Sequence, residues 1–425
     1  MSNFNEFQRA AKAAIRVALQ WFFLAIPTGL ICGLVGTLFH LSVERVTELR
    51  ADQPWLLFLL PAAGLLITAL YKATKCEGVG TNNVIRAVQS GEPVSILLVP
   101  AIFFGTVLTH LCGGSAGREG AALQMGGSIG WNVGTLLQLK DHDRRTATIS
   151  GMAAFFSALF GTPLTAALFA MMVEDVGLTF TSAFVPAFTS ALIAYGCSLA
   201  FGIGPTHFAI TAPELTVWNA FLVILLGFAC AAVSRLFCGL LHFMEHKVPQ
   251  LLPNPWLRVF VGGMAVIAFS YLFGVGRYNG AGMGVITAAV EQGEALPWDF
   301  LCKIFLTALT LSCGFKGGEV VPSFFVGATF GCVFGPLLGL PAGFAAAVGL
   351  VSIFCGATNA LIPSILLGFE LFSGAGLELI ALGCGICYML SGHHGLYSSQ
   401  TFVTNKLRSE YMSHKLRHKV KKQEE

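Results

Sequence analysis

The chain has 425 residues, of which 55% are hydrophobic and only 11% are charged, and its mean hydropathy is +0.73. Soluble globular domains carry about 25% charged residues, so this composition excludes an ordinary soluble protein and indicates one that is solvated by a lipid bilayer. The formal net charge of +3 is too small to indicate a nucleic-acid partner.

Apolar runs recur along the whole chain, separated by short polar or glycine-rich stretches. Most of them are close to or above the roughly 20 residues that a membrane-spanning helix needs, and the longest can hold more than one segment. The sequence therefore predicts an all-α, multi-pass integral membrane protein with ten or more membrane helices. The runs are 17–42, 54–71, 94–112, 146–173, 179–204, 215–241, 257–275, 297–313, 320–356 and 360–391.

Both ends of the chain are rich in Lys and Arg. Because basic residues flanking membrane segments stay on the cytoplasmic side, we expect cytoplasmic termini, in a bacterial inner (cell) membrane. The basic residues are Arg9, Lys12 and Arg16 at the start and Lys406, Arg408, Lys415, Arg417, Lys419, Lys421 and Lys422 in the tail.

The two halves of the sequence resemble each other. The segment "GVGTNNVIRAVQSGE" at 78–92 aligns with "GAGMGVITAAVEQGE" at 280–294, and "GGSAGREG" at 113–120 lies opposite "CGFKGGEV" at 313–320. The same order at nearly one spacing indicates a duplication. Membrane transporters commonly fuse two such halves in opposite orientation, with the substrate at the midplane between them.

This duplication predicts how the chain is divided. Residues 1–16 form a cytoplasmic N-terminal segment, 17–204 the first membrane repeat, 205–404 the second membrane repeat, and 405–425 a basic cytoplasmic tail.

The repeated segments are also where glycines interrupt the apolar pattern. A helix that begins inside the membrane presents unpaired N–H groups and a partial positive charge, which attract an anion. Four such starts are predicted, near 78–81, 117–120, 280–284 and 317–322. Their convergence would make an anion site. Within the second of them, Arg118 and Glu119 place two charges at membrane depth, which is a functional hypothesis by default.

Five ordered segments carry a resemblance to a known family. They are "GVG" at 78–80, "GREGAALQMG" at 117–126, "GMAAFFSALFGTPLTAALFAMM" at 151–172, "GGEVVP" at 317–322 and "LYSSQ" at 396–400. In these segments the chain resembles the CLC chloride channel and transporter family. The match runs from about residue 75 to residue 400.

The resemblance implies a homodimer with a separate anion pathway in each subunit, acting on halide anions and protons. It implies that Glu119 gates the pathway and carries the proton, and that a tyrosine on the last membrane helix contacts the anion. It implies no enzyme activity, and no cofactor, metal or catalytic residue is predicted. The anion-binding positions that it implies are Gly78, Val79, Gly80, Gly117, Arg118, Gly120, Gly318, Glu319, Val320, Val321 and Tyr397.

Departures from the family pattern point to its fluoride/proton antiporter branch. Val79 stands where chloride carriers have a serine, and the glycine-rich "FKGGEV" form resembles that branch, although a hydroxyl residue often lies there at the position of Val321. The positions of the inner glutamates in chloride exchangers hold Met172 and Val173. The leading prediction is proton-coupled fluoride export, with a chloride channel or a chloride/proton exchanger as the alternative. Glu319 is either a second gating carboxylate or a buried partner of Lys316.

One motif allows a function from another class. The segment "HFMEH" at 242–246 matches the H-x-x-E-H zinc pattern, which places His242 and His246 on one helix face. The remote alternative is therefore a membrane zinc metalloenzyme.

Overall fold

Helices form nearly all of the regular structure in the computed structural model. It describes residues 2–177, 180–403 and 405–407, and of residues 2–11, 13 and 14 it describes no side chains. The side chain of Arg9 and the basic tail from residue 408 onward therefore lie outside the described residues.

The described chain contains sixteen α-helices and one pair of two-residue strands, β1 (Asp175–Val176) and β2 (Thr401–Phe402), which pair in parallel. The first eight helices are α1 (Ser2–Asp52), α2 (Leu60–Ala73), α3 (Thr81–Ser90), α4 (Leu98–Leu111), α5 (Glu119–Leu136), α6 (Asp141–Phe160), α7 (Pro163–Met172) and α8 (Phe184–Ala200). The other eight are α9 (Val217–Leu251), α10 (Pro255–Phe273), α11 (Met283–Thr287), α12 (Asp299–Ser312), α13 (Val320–Leu338), α14 (Ala342–Thr358), α15 (Leu361–Phe372) and α16 (Leu377–Leu390).

Six helical segments of the described chain are long and apolar enough to cross a membrane, which confirms the predicted multi-pass, all-α class. Five further apolar helices have only 10–17 residues, because glycine-rich breaks divide the runs. Helix α1 runs without a break across the predicted boundary between residues 16 and 17.

The backbone of the two halves repeats. Gly91 ends α3 at φ +75°, and Gly293, at the equivalent position of the second half, ends the π-helical turn after α11 at φ +70°. Only glycine adopts this left-handed conformation without a steric penalty, so the matched glycines mark matched helix ends.

Close helix packing repeats as well. Helix α5 packs on α6 through Gly126 and Gly130, and α13 packs on α14 through Gly327 and Gly331. A Cβ atom on any of these four glycines would collide with a backbone carbonyl of the facing helix. Each pair has the small-xxx-small spacing that lets two membrane helices approach closely.

Helices α6 and α14 form the centre of the protein. All residues from Thr146 to Phe160 and from Phe344 to Thr358 are buried. A helix that is buried all round must be apolar all round, which explains why neither sequence shows an amphipathic pattern. These two helices support α5 and α13, whose first residues carry the charged and glycine-rich motifs.

The packing at Gly331 gives a first prediction. In Gly331→Ala the new Cβ collides with the carbonyl of Ala345, so we expect a loss of about 1–3 kcal/mol in the free energy of unfolding. Thermal denaturation of the purified protein in detergent measures it. The matched control is Gly239→Ala in α9, where a Cβ atom meets nothing within 4 Å. Equal midpoints for the two variants would contradict the packing described here.

Candidate functional site

Two glycines join the halves of the protein at its centre. Gly117 and Gly318 form an isolated antiparallel bridge, with N–H···O distances of 2.7 Å and 2.8 Å in the two directions. Each glycine lies just before a helix, α5 or α13. A Cβ atom on Gly318 would collide with the backbone of Gly120, so only glycine allows this approach. The bridge therefore brings the starts of two equivalent helices together.

The carboxylate of Glu119 lies at the start of the helix of the other half. Glu119 is completely buried, and its Oε2 accepts hydrogen bonds from the N–H groups of Arg118 at 2.9 Å and Val321 at 3.3 Å. Its Oε1 lies 3.7 Å from Nε of Arg118 and has no hydrogen-bond partner. The amino end of α13 thus contacts a carboxyl group, and the helix dipole favours the ionised form of that group.

Glu319 lies in a reciprocal position. A Cβ atom added to Gly120 would lie 2.9 Å from Oε2 of Glu319, so this carboxylate is next to the start of α5. Its Oε2 is buried without a hydrogen-bond partner. Glu319 forms no ion pair with Lys316, whose ammonium lies 4.2 Å from the ring centre of Tyr71. Of the two alternatives given for Glu319, pairing with Lys316 is therefore the one that the structure contradicts.

A cavity of about 150 Å³ opens beside Glu319. We call it the Tyr397 cavity. Its lining includes Val79, Gly80, Thr81, Asn82, Gln124, Glu245, Lys316, Gly317, Glu319 and Tyr397. The predicted residues from three segments that are far apart in sequence therefore meet at one place. Gly78 lies outside this lining, and Val320 and Val321 are buried in the first turn of α13.

Thr81 and Gln124 are polar residues of this cavity that the sequence analysis missed. Nε2 of Gln124 donates a hydrogen bond to the Thr81 hydroxyl at 3.0 Å, and Oε1 of Gln124 is buried without a partner. An amide inside the apolar "GREGAALQMGG" stretch was the signal that could have identified Gln124.

A larger cavity, of about 410 Å³, lies at the carboxyl end of α1. We call it the Arg118 cavity. It is lined by His40, Glu44, Thr47, Glu48, Arg50, His110 and Arg118, and by residues at the start of α11. The third predicted helix start, near 280–284, therefore lies here rather than at the Tyr397 cavity. The reason is the duplication itself, since α11 is the equivalent of α3 in the other half.

The two cavities belong to opposite faces of the protein. Gln20, near the first residues of α1, donates a hydrogen bond to Asp143 at 3.0 Å. The 30 residues from Gln20 to Arg50 extend about 45 Å in a helix, which is the thickness of a bilayer with its headgroups. The Arg118 cavity is thus one membrane thickness away from the amino-terminal part of α1.

The Tyr397 cavity lies on the same face as Gln20. Asp143 begins the helix that carries Arg145, and Arg145 pairs with Glu174, beside strand β1. Burial raises the pKa of the Glu174 carboxyl to about 7, and the Arg145 guanidinium opposes that rise. The backbone oxygen of Glu174 accepts a hydrogen bond from Thr401, a few residues beyond Tyr397.

Tyr397 does not lie on the last membrane helix, as was predicted. It lies in an irregular segment, 391–400, that follows α16. Its side chain is 3% exposed and its hydroxyl is buried without a hydrogen-bond partner. Helix α16 ends at Leu390, and the glycine-containing segment "SGHHG" at 391–395 follows it. The chain then turns back toward α3 and pairs with β1.

Polar contacts hold this segment in place. Nε2 of Gln400 donates hydrogen bonds to the carbonyls of Val173 at 3.0 Å and Thr358 at 2.8 Å, and its Oε1 accepts one from Asn359. Lys406 donates to Asn359 and to Ser391. The first residues of the predicted tail therefore pack on the membrane core.

The H-x-x-E-H histidines have other partners. Nε2 of His242 lies 2.7 Å from the carbonyl of Gly395, and its Nδ1 lies 3.5 Å from Glu245. Nε2 of His246 lies 2.9 Å from Gln250. Within the described residues, no three His, Cys, Asp or Glu side chains are placed to hold a metal ion.

The contacts of Gln400 give a second prediction. Gln400→Ala leaves several buried polar groups without partners, at about 1–3 kcal/mol each, so we expect a clear loss of thermal stability and faster amide exchange around residues 396–401. The control is Gln250→Ala, an exposed position in α9. Unchanged exchange in Gln400→Ala would show that other contacts hold the segment.

Comparison with known proteins agrees with this architecture. The family described as "Voltage gated chloride channel" matches residues 62–392. A "Chloride/fluoride channel protein" of Pseudomonas syringae is 35% identical over 331 residues, which are 76% of this chain and 73% of that one. An "H(+)/Cl(-) exchange transporter ClcA" of Vibrio cholerae is 27% identical over 358 residues, 78% of this chain and 75% of that one.

Solved structures show the same fold. The crystal structure of a CLC-type fluoride/proton antiporter superposes with a TM-score of 0.87 and 32% sequence identity, covering 91% of this chain and 98% of that one. A slow cyanobacterial Cl⁻/H⁺ antiporter gives a TM-score of 0.75 at 19% identity, covering 87% and 93%, and supports the fold alone. The chain belongs to the CLC family of channels and transporters.

Proposed function

We propose that the protein exports fluoride across the membrane in exchange for protons, with Glu119 as the side chain that both gates the anion pathway and carries the proton. The observation that carries this proposal is the hydrogen bond from Val321 to the buried Glu119 carboxylate. A free anion would bind at this same amino end of α13.

The geometry supports competition between the carboxylate and the anion. An ionised Glu119 satisfies the N–H of Val321 and blocks the position between the two cavities. A proton on Glu119 removes the charge that the helix end and Arg118 attract, so the side chain leaves and the anion can take its place. Because one position holds either the carboxylate or the anion, the two fluxes are coupled.

Glu319 is a second buried acid near the proposed anion pathway, and its protonation state affects anion binding. Its carboxylate shares the Tyr397 cavity with Thr81 and Tyr397. An ionised Glu319 would repel an anion there by Coulomb interaction in a low dielectric. We therefore propose that Glu319 is protonated whenever an anion occupies this cavity.

We favour fluoride as the transported anion because the more similar relatives are named for fluoride. The relatives described above that exceed 30% identity are named as a chloride/fluoride channel protein and as a fluoride/proton antiporter. The chloride/proton exchangers are more distant, at 27% identity or less. Val79, which offers no hydroxyl, lines the Tyr397 cavity where chloride carriers are expected to have a serine.

The surrounding arrangement follows the same proposal. Residues 17–204 and 205–404 form inverted repeats, and the antiparallel bridge between Gly117 and Gly318 is the contact that such a two-fold relation requires. The protein is a homodimer in a bacterial inner membrane with cytoplasmic termini. The Tyr397 cavity then opens toward the cytoplasm and the Arg118 cavity toward the outside.

A chloride channel or chloride/proton exchanger is the alternative. The inner positions Met172 and Val173 cannot accept a proton, and Val173 is completely buried. An uncoupled channel would share this feature with the fluoride branch. Direct measurement of both fluxes separates the two functions.

The first functional prediction concerns both fluxes. In vesicles containing the purified protein, we expect fluoride efflux faster than chloride efflux, with proton movement in the opposite direction. Glu119→Gln, which cannot ionise, abolishes the proton flux. A fluoride electrode, a chloride electrode and a pH electrode record the three ions.

Glu214→Gln, in an exposed loop, is the control and keeps coupling intact. Chloride efflux equal to fluoride efflux would remove the fluoride assignment. Proton coupling preserved in Glu119→Gln would show that the proton takes another route.

A second functional prediction uses Gly117. A Cβ atom there collides with Oε2 of Glu119, so Gly117→Ala displaces the carboxylate from the start of α13. We expect anion flux to continue with fewer protons moved per anion. Gly239→Ala keeps the wild-type ratio. A wild-type ratio in Gly117→Ala as well would argue that the carboxylate does not act from this position.

A further inference from the structure

A third cavity, of about 270 Å³, lies between α2 and α10, beside the loop that precedes α3. We call it the Tyr71 cavity. It is lined by Tyr71, Glu77, Gly78, Arg258 and Lys316, together with apolar and small residues. Gly78 precedes α3, which contacts the 391–401 segment, so this cavity is on the same face as the Tyr397 cavity.

Three hydrogen-bond donors of this cavity lack strong partners. Tyr71 is 3% exposed, and its hydroxyl is buried without a hydrogen-bond partner. Nε of Arg258 is also buried without one, and the guanidinium makes only a 3.5 Å contact with the carbonyl of Leu252. Lys316 lies over the Tyr71 ring and, among the described residues, forms no ion pair with a carboxylate.

Lys316 is only partly buried, and a fully buried lysine, Lys303, shows what a satisfied cation looks like. Lys303 is completely buried and donates to the carbonyls of Tyr278 at 3.0 Å and Gly280 at 2.6 Å. Lys316 has no such pair of acceptors. The hydroxyl of Tyr71 and Nε of Arg258 are buried atoms that are costly to leave without an acceptor, and an anion in this cavity would supply one.

We propose that Tyr71, Arg258 and Lys316 form a second anion site that takes a halide anion. Ammonium and guanidinium groups provide charge-assisted hydrogen bonds, which are the strongest that a protein offers to an anion. The only acid in the lining, Glu77, is exposed at the rim. The site differs from that at Glu119, because it is made of side chains rather than of helix ends.

Lys316 connects this site to the transport pathway. It lines both the Tyr71 cavity and the Tyr397 cavity, and Gly78 of the first cavity is followed directly by Val79 and Gly80 of the second. Lys316 alone therefore separates an anion in the Tyr71 cavity from the space beside Glu319 in the Tyr397 cavity. Resting on the proposed function, the inference is that halide entering from the cytoplasmic face is first concentrated at this site.

Crystals of the full-length protein soaked in bromide test the site directly. We expect anomalous density between Tyr71, Arg258 and Lys316 in the wild type and in Lys72→Met, an exposed lysine on α2 outside the cavity. We expect none in Lys316→Met. If Lys316→Met does not fold, Tyr71→Phe replaces it in this experiment. Tyr71→Phe keeps the ring and removes one hydrogen-bond donor, so we expect weaker bromide density than in the wild type.

Flux measurements test the role of the site. For anion entering from the Tyr397 side, we expect Lys316→Met to raise the half-saturating fluoride concentration about tenfold while the maximal rate stays near wild type. Lys72→Met leaves both values unchanged. A fall in maximal rate alone would overturn the entry role.

The site itself is overturned if bromide is absent from the wild type, or if its density persists in Lys316→Met. It is also overturned if soaks in inorganic phosphate fill the cavity while bromide does not, since that result would indicate a lipid headgroup site. Bromide density does not depend on transport, so failure of the Glu119 mechanism would leave it unchanged.

Discussion

The backbone bridge between Gly117 and Gly318 is the interaction on which the rest of the structure depends. It brings the amino ends of α5 and α13 within two hydrogen bonds of each other. Gly318 must lack a side chain, because a Cβ atom there would collide with the backbone nitrogen of Gly120, whereas at Gly117 the closest contact is the carboxylate end of Glu119. Without this approach the carboxylate of Glu119 could not reach the N–H of Val321, which belongs to the other half of the chain.

The reciprocal placement of the two glutamates follows from this bridge. Each begins or precedes one helix and places its carboxylate near the start of the other. The two halves differ in what surrounds these acids. Arg118 accompanies Glu119, whereas Glu319 lies beside Thr81, Gln124 and Tyr397. A duplicated backbone thus provides two similar positions, and substitution has made one cationic and the other rich in hydroxyl and amide groups.

Part of this could be predicted from the sequence, because it depends on local or compositional features. Composition identified the membrane class, and the order of glycines identified the duplication and the helix starts at Glu119 and Val320. Contacts between distant segments could not be predicted in the same way. The hydrogen bond from Val321 to Glu119 joins residues of different halves, and the irregular path of 391–400 depends on Gln400 and β1 rather than on local pattern.

The pairing of β2 with β1 has a consequence for biosynthesis. The carbonyls and side chains that receive Ser399 and Thr401, on α3 and beside β1, are translated more than two hundred residues earlier than their partners. A nascent chain that has inserted only its first half therefore leaves the side-chain oxygen of Asn82 and the backbone oxygen of Val176 dependent on water at the membrane surface. Because unpaired backbone groups are not tolerated within lipid, this part of the first half must stay near the aqueous boundary, or with a chaperone, until residues 399–403 have been synthesised.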